Sequence, residues 1–248
     1  MKPVVANSWA ALRSLTPARI ALGRAGSGLP TAEMLRFGLA HARARDAVHA
    51  ALDAEALCGQ LRELGLAPTV VRSQAENRET YLRRPDLGRR LAASSVISAS
   101  DHPFGLVICD GLSALAVERH AVPLVRSLID LSPQRWAGVP CCVCLQGRVA
   151  LGDDAGARFG CQLVVVLIGE RPGLSSPDSL GAYLTFAPRV GRTDAERNCV
   201  SNIRPEGLGY AEAARRIDWI AAAGVARGVT GVGLRDESGV LDIALSRR

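Results

Sequence analysis

At 248 residues with 48% hydrophobic side chains, the chain is long enough to bury a substantial core, and with only 4% aromatics that core is built from Ala, Val, Leu and Ile. Its formal charge of +6 comes almost wholly from arginines, which are interleaved with acids and not gathered in a stripe with aromatics, so the pattern argues against a nucleic-acid partner and equally fits a subunit interface. No apolar run reaches the roughly twenty residues of a membrane helix, and the N-terminus lacks a secretory apolar segment, so a soluble intracellular protein is expected.

In chain order, Ser8 offers a cap for a short helix with Trp9, Leu12 and Leu15 on one face, and Thr16-Pro17 offers a second start. Gly23, Gly26 and Gly28 form a flexible break; no strand precedes them, so they are not a dinucleotide fingerprint. Thr31 then caps the longest helical pattern, with Met34, Leu35, Leu39, Ala47, Val48 and Leu52 recurring at helical intervals to about Leu64. His41 and His49 lie eight apart on it, which is not the spacing of a metal pair on a helix face. A second helical region from Glu76 to Leu91, broken at Arg84-Pro85-Asp86, carries five arginines on what reads as a solvated face. Everything to about residue 95 reads as helical, which predicts a small N-terminal helical domain over 1–95.

The pattern changes at Phe104. Leu106–Cys109 is a buried strand, Asp110-Gly111 a tight turn, and Leu112 to about Ile129 a helix whose start could receive an anion such as phosphate. Val139–Leu145 is the next strand, with Cys141, Cys142 and Cys144 inside it. No pair among the seven cysteines has zinc spacing, so buried free thiols are the expectation. Gln146-Gly147-Arg148-Val149 leads to a helix over Asp153–Phe159. Leu163–Ile168 is a strand buried on both faces, ending at the Gly169-Glu170-Arg171-Pro172-Gly173 loop. A strand over Ala182–Ala187, a polar loop reaching Cys199, a helix over Tyr210–Arg227 stopped by Gly228, and a last strand Val232–Leu234 complete the chain. Strand and helix alternate, which predicts an α/β fold over 96–248: a doubly wound, mostly parallel, Rossmann-like sheet. Loops after the strands ending near Leu145, Ile168 and Ala187 would then share its carboxyl edge, where such sheets bind ligands.

GERPGLSSPDSLGAYLTFAP followed by RTDAERNCVSNIRPEGL resembles the small subunit of ethanolamine ammonia-lyase, and LTPARIALGRAGSGLPT, YLRRPDLGRRL, DGLSALAVERHAVPL and QGRVALGD extend the resemblance over nearly the whole chain. The resemblance implies a subunit of an adenosylcobalamin-dependent enzyme that converts ethanolamine to acetaldehyde and ammonia, working with a large subunit in a hetero-oligomer of several large–small pairs. It places cobalamin contacts at Val149 in QGRV, Glu170 in GERPG and Cys199 in RNCVSN; Arg148 is a further candidate for a corrin amide or the phosphate. Catalysis itself would reside in the large subunit, and the family implies no catalytic residue here. His120 lacks the Asp-x-His-x-x-Gly context of a cobalt ligand and reads as structural. The expected location is the cytoplasm, where relatives often work inside protein-shelled bacterial microcompartments. Two other readings stay open: a free-standing nucleotide-binding enzyme using the Asp110-Gly111 helix start, and a scaffold with no cofactor contact.

Overall fold

The structure, a computed structural model, describes residues 7–16 and 18–239; Pro17 of the expected second helix start and the end of the polar tail lie outside them. Asn7, not Ser8, caps the first short 3-10 helix, Ser8–Ser14, by accepting the Trp9 amide at 2.9 Å. The long helical pattern is two helices. α1 (Thr31–His49) starts one residue after Pro30 without a side-chain cap, and α2 (Ala54–Glu63) starts anew where the Asp53 carboxylate accepts the Ala56 amide at 3.0 Å. Only α2 behaves as a core helix, burying Leu57, Cys58 and Leu61, whereas Met34, Leu35 and Leu39 of α1 are exposed.

The reading of everything before residue 95 as helical is corrected by β1 (Thr69–Arg72), a parallel edge strand paired with β3 from Thr69↔Cys142 to Arg72↔Leu145. Four residues with one buried side chain, Val71, carry too little periodicity to stand out in the sequence. After β1 comes α3 (Arg78–Arg83), capped by Asn77. Its Arg83 lies on the solvated face expected, but Arg78 turns inward, its guanidinium donating to the carbonyls of Val48 at 2.6 Å and Gly111 at 2.7 Å.

The remaining strands are β2 (Phe104–Cys109), β3 (Cys141–Leu145), β4 (Leu163–Gly169), β5 (Leu180–Phe186) and β6 (Arg197–Ile203), in one six-stranded sheet ordered β1-β3-β2-β4-β5-β6. β1, β3, β2 and β4 are mutually parallel; β5 runs against both its neighbours. Helices pack on both faces. Leu106, Ile108, Leu163, Val165 and Leu167 face the side covered by α2, α4 (Ala114–Leu131) and α7 (Tyr210–Arg227), with the short α5 (Pro133–Trp136) adding Trp136. Val107, Cys109, Val164, Val166 and Ile168 face α6 (Leu151–Phe159). β2 and β4 therefore read as unbroken apolar runs because each of their residues meets a helix on one face or the other.

Two expectations fail at the C-terminal side. Strand and helix do not alternate after β4: β4-β5-β6 is an antiparallel meander, whose direct connections need no crossover helix. Val232–Leu234 is not a strand: Val232 and Gly233 belong to a 3-10 turn, Gly231–Gly233, that Leu234 ends. There Gly231 takes φ 76° so close to the Ala195 carbonyl that a Cβ would sit 2.0 Å from it.

Candidate functional site

The chain leaves β2 toward β3 and β4 toward β5, in opposite directions across the sheet, which opens a crevice at the carboxyl ends of these central strands. The turn after β2 closes one part of it. The Asp110 carboxylate accepts the amides of Gln146 at 2.9 Å and Gly147 at 3.1 Å, tying the ends of β2 and β3; burial pushes its pKa up against those bonds. At Gly111, φ 57°, a Cβ would lie 2.3 Å from the Gly169 carbonyl. Ser113 fills the start of α4, accepting the Ala116 amide at 3.3 Å and donating to the Pro177 carbonyl at 2.9 Å. Protein groups thus take the room that a phosphate would need at this helix start.

Beside it lies an open cleft of about 400 Å³ whose polar wall is Tyr81, Arg148, Glu170, Arg171, Tyr183 and Ser201, with Val149 an apolar neighbour. Arg148 reaches it because β3 ends in a left-handed Gln146 (φ 58°), after which the Arg148 amide donates to the Gly88 carbonyl at 2.8 Å. Its guanidinium lies 4.5 Å from the Tyr81 ring and donates to the Tyr81 carbonyl at 3.1 Å, and Arg78 stacks on the same ring at 4.8 Å. Gly88 makes this possible: a Cβ there would meet the Arg148 stem at 2.8 Å and the Tyr81 ring at 3.1 Å. The Tyr81 hydroxyl donates to the Gly147 carbonyl at 3.2 Å, and burial raises its pKa.

Glu170 follows the last residue of β4. Its carboxylate lies over Gly181, where a Cβ would come within 2.9 Å of Oε1. The Ser179 hydroxyl donates to Oε2 in a very short contact, and the Asn202 amide donates to the same oxygen at 3.3 Å. Among the described residues none donates to Oε1.

Cys199 does not sit in a loop after β5. Because β5 is antiparallel, its carboxyl end lies on the far edge of the sheet, and Cys199 is carried back by β6, in register with Tyr183. That pair lies on the α6 side of the sheet, but α6 packs over β2 and β4 and leaves Cys199 exposed. Its thiol is pushed above its ordinary value by desolvation among its neighbours. Arg148, Val149 and Glu170 therefore meet in one cleft, and Cys199 stands just behind Tyr183 without lining it.

The sequence pattern does not single out Tyr81, Tyr183 and Ser201 as site residues. One signal points to them: the chain has three tyrosines, and two of them line this cleft. The six other cysteines are buried and unpaired, as expected, and the thiols of Cys142 and Cys144 are raised well above the ordinary range by burial. Among the described residues no group of three or more His, Cys, Asp or Glu could hold a metal ion, and no helix is long and apolar enough to cross a membrane.

The family model for the ethanolamine ammonia-lyase light chain matches residues 6–235. The chain belongs to the ethanolamine ammonia-lyase light-chain family. This chain is 57% identical over 234 residues to the "Ethanolamine ammonia-lyase small subunit" of Bradyrhizobium diazoefficiens, covering 92% of this chain and 90% of that one. It is 52% identical over 247 residues to the protein of the same name from Azotobacter vinelandii, covering 96% and 92%. With that of Ralstonia nicotianae it shares 52% identity over 254 aligned positions, covering 99% and 94%.

Proposed function

We propose that this chain is the small subunit of an adenosylcobalamin-dependent ethanolamine ammonia-lyase, holding one side of the cobalamin against a catalytic large subunit. The observation that carries the reading is the convergence of Arg148, Val149 and Glu170 on one open cleft at the sheet's carboxyl edge. The lining fits the periphery of a corrin. Glu170 Oε1 can accept from an amide N–H, the Arg148 fork can donate to an amide carbonyl or phosphate, and Tyr183 and Ser201 add hydroxyls beside apolar Val149. A cleft of about 400 Å³ takes an edge of such a macrocycle and not the whole, so a second chain must cover the rest.

When bound, adenosylcobalamin supplies homolytic cobalt–carbon chemistry. The residues of this chain bind and orient. Glu170 is pre-set by the two donors on Oε2, Arg148 by the Tyr81 ring and the Gly88 carbonyl, and Cys199 stands beside Tyr183 on the neighbouring strand. In this reading the assembly contains several large–small pairs and works in the cytoplasm, within a microcompartment where its host makes one. The nucleotide-binding alternative has less support, because Ser113 already caps the start of α4 and Gly111 packs closely on Gly169 there.

The test has two parts. Adenosylcobalamin- and ethanolamine-dependent ammonia release is measured for this chain, for its cognate large subunit, and for the two together; activity only in the mixture is expected, and full activity of the large subunit alone would sink the reading. In the assembled enzyme, Glu170→Gln should weaken cobalamin binding by about five- to tenfold, the loss of a charge-assisted bond. An unchanged affinity would remove the charge of Glu170 from the site.

A further inference from the structure

The loop over residues 170–179 carries Glu170 at one end and is held at the other by α4. Ser179 grips Glu170 twice: its carbonyl accepts the Glu170 amide at 2.9 Å and its hydroxyl donates to the Glu170 carboxylate. The two residues before Ser179 are anchored from the first turns of α4. Ser113 donates to the Pro177 carbonyl at 2.9 Å, Arg119 to the Asp178 carboxylate at 2.8 Å, and His120 Nε2 stands 3.5 Å from the same carboxylate oxygen. Between these ends the loop bonds mainly to itself, through Gly173 and Ser176.

The three anchors are not equal. Arg119 is more than half exposed, and an ion pair in that setting contributes little. The His120 side chain is 6% exposed, in the buried stripe of α4 beside Ala116, Val117, Ala121 and Leu124, where a leucine would pack without a desolvation cost. Its polar atoms are used in one direction. Nδ1 meets the Tyr210 hydroxyl at 2.8 Å, whereas Nε2 is buried without a hydrogen-bond partner and stands 3.5 Å from the Asp178 carboxylate, the acceptor it faces. With the ring proton on Nε2, Tyr210 donates to Nδ1 and the imidazole presents N–H to the loop.

We propose that His120 is a positioning residue for the cofactor-holding site: held by Tyr210, it fixes Asp178, and through Ser179 it sets the Glu170 carboxylate. The inference rests on the reading of Glu170 given above. It makes the interface of α4 and α7, on the opposite face of the sheet from Tyr183 and Cys199, part of the machinery that presents this carboxylate.

The experiment uses the assembled large–small enzyme with His120→Leu, which keeps the burial, His120→Gln, which restores an N–H near Nε2, and Asp178→Asn, which acts from the loop side should His120→Leu fold poorly. Two quantities are read: amide hydrogen exchange of the 170–180 peptide, and adenosylcobalamin affinity by absorbance titration, with Glu170 intact and in the Glu170→Gln background. The expected result is faster exchange confined to that peptide in His120→Leu and Asp178→Asn, largely reversed in His120→Gln. Affinity should fall about threefold to tenfold with Glu170 intact and less than about twofold in the Glu170→Gln background, because the effect travels through that side chain. Unchanged exchange, or an equal affinity loss in both backgrounds, overturns the proposal. If Glu170→Gln alone leaves affinity unchanged, the reading of Glu170 fails by itself, and the exchange result still decides whether His120 anchors the loop.

Discussion

Glycines 88 and 181 matter to the cleft for the volume they leave empty. Each stands where a methyl group would press on a site side chain, Arg148 at 2.8 Å and Glu170 at 2.9 Å. Neither needs a left-handed backbone, so their replacement tests space alone. Gly181→Ala should displace the Glu170 carboxylate and weaken cobalamin binding in the assembled enzyme by about tenfold, while the melting temperature of the isolated chain moves little; equal affinity would mean that the carboxylate moves aside without loss.

The His120–Asp178 pair gives a pH dependence with a definite sign. Burial lowers the His120 pKa despite the nearby carboxylate, so the folded state resists a proton that the unfolded chain accepts near pH 6.5. Asp178 is also held below the usual carboxylate range: burial, the largest single influence, raises it, but the hydrogen bond and charge of Arg119 together with the nearby His120 outweigh it. Below about pH 6.5 the unfolded chain binds more protons through His120, and below about pH 4 through Asp178, so both groups remove stability as pH falls. Asp110, raised by burial, works in the opposite direction but is shared by any His120 variant. The fall in melting temperature from pH 7 to pH 5 should therefore be steeper in the wild type than in His120→Gln; parallel curves would show that His120 is not the titrating group.

At the scale of elements, one buried ion pair holds two site-bearing pieces together. Arg197 in β6 makes two bonds to Asp153 in α6, at 2.6 and 2.8 Å, with both side chains 2% exposed, and adds the Thr185 hydroxyl at 3.0 Å. α6 opens just after Val149 and β6 carries Cys199, so the pair sets the distance between the two sides of the site. Asp153→Asn leaves the buried Arg197 charge with only the exposed Asp194 carboxylate at 3.4 Å, and should cost about 3–5 kcal/mol in denaturant unfolding, far more than loss of the exposed Arg84–Asp86 pair. A cost below about 1 kcal/mol would refute this ranking. The cap of α2 is a smaller case. Asp53→Ala should cost about 1 kcal/mol by the same measurement, since it removes the bond that separates α2 from α1.

Across the whole molecule, α6 packs along one face of the sheet over β2 and β4 and reaches β6 through the Asp153–Arg197 pair, leaving Tyr183, Cys199 and Ser201 on an open shoulder. On the proposed reading, a cleft this open shares its ligand with the large subunit. The isolated chain should accordingly bind cobalamin at least about tenfold more weakly than the large–small assembly, by the same absorbance titration. Equal affinity in the free chain would mean that the cleft is sufficient alone.

Much of this was legible in the residues. The apolar runs at Leu106, Cys141 and Leu163 marked the central strands, because a strand between two helix layers has no polar face to confuse the pattern. Motifs from Gly169 to Leu208 and upstream marked the family, and Arg148, Val149 and Glu170 lay in short loops directly after those strands. The tertiary structure alone decided the rest. β1 has one buried residue and exists because β3 offers it an edge; β5 reverses because its connections are direct; and Cys199 reaches the site by that reversal and not by a loop. Tyr81 and His120 belong to the same class. Their roles depend on partners 67 and 58 positions away, Arg148 and Asp178, and pairing at such separations leaves no periodicity in the chain. Local pattern and motif determined which elements form and which family they build, while contacts between distant elements determined which side chains meet.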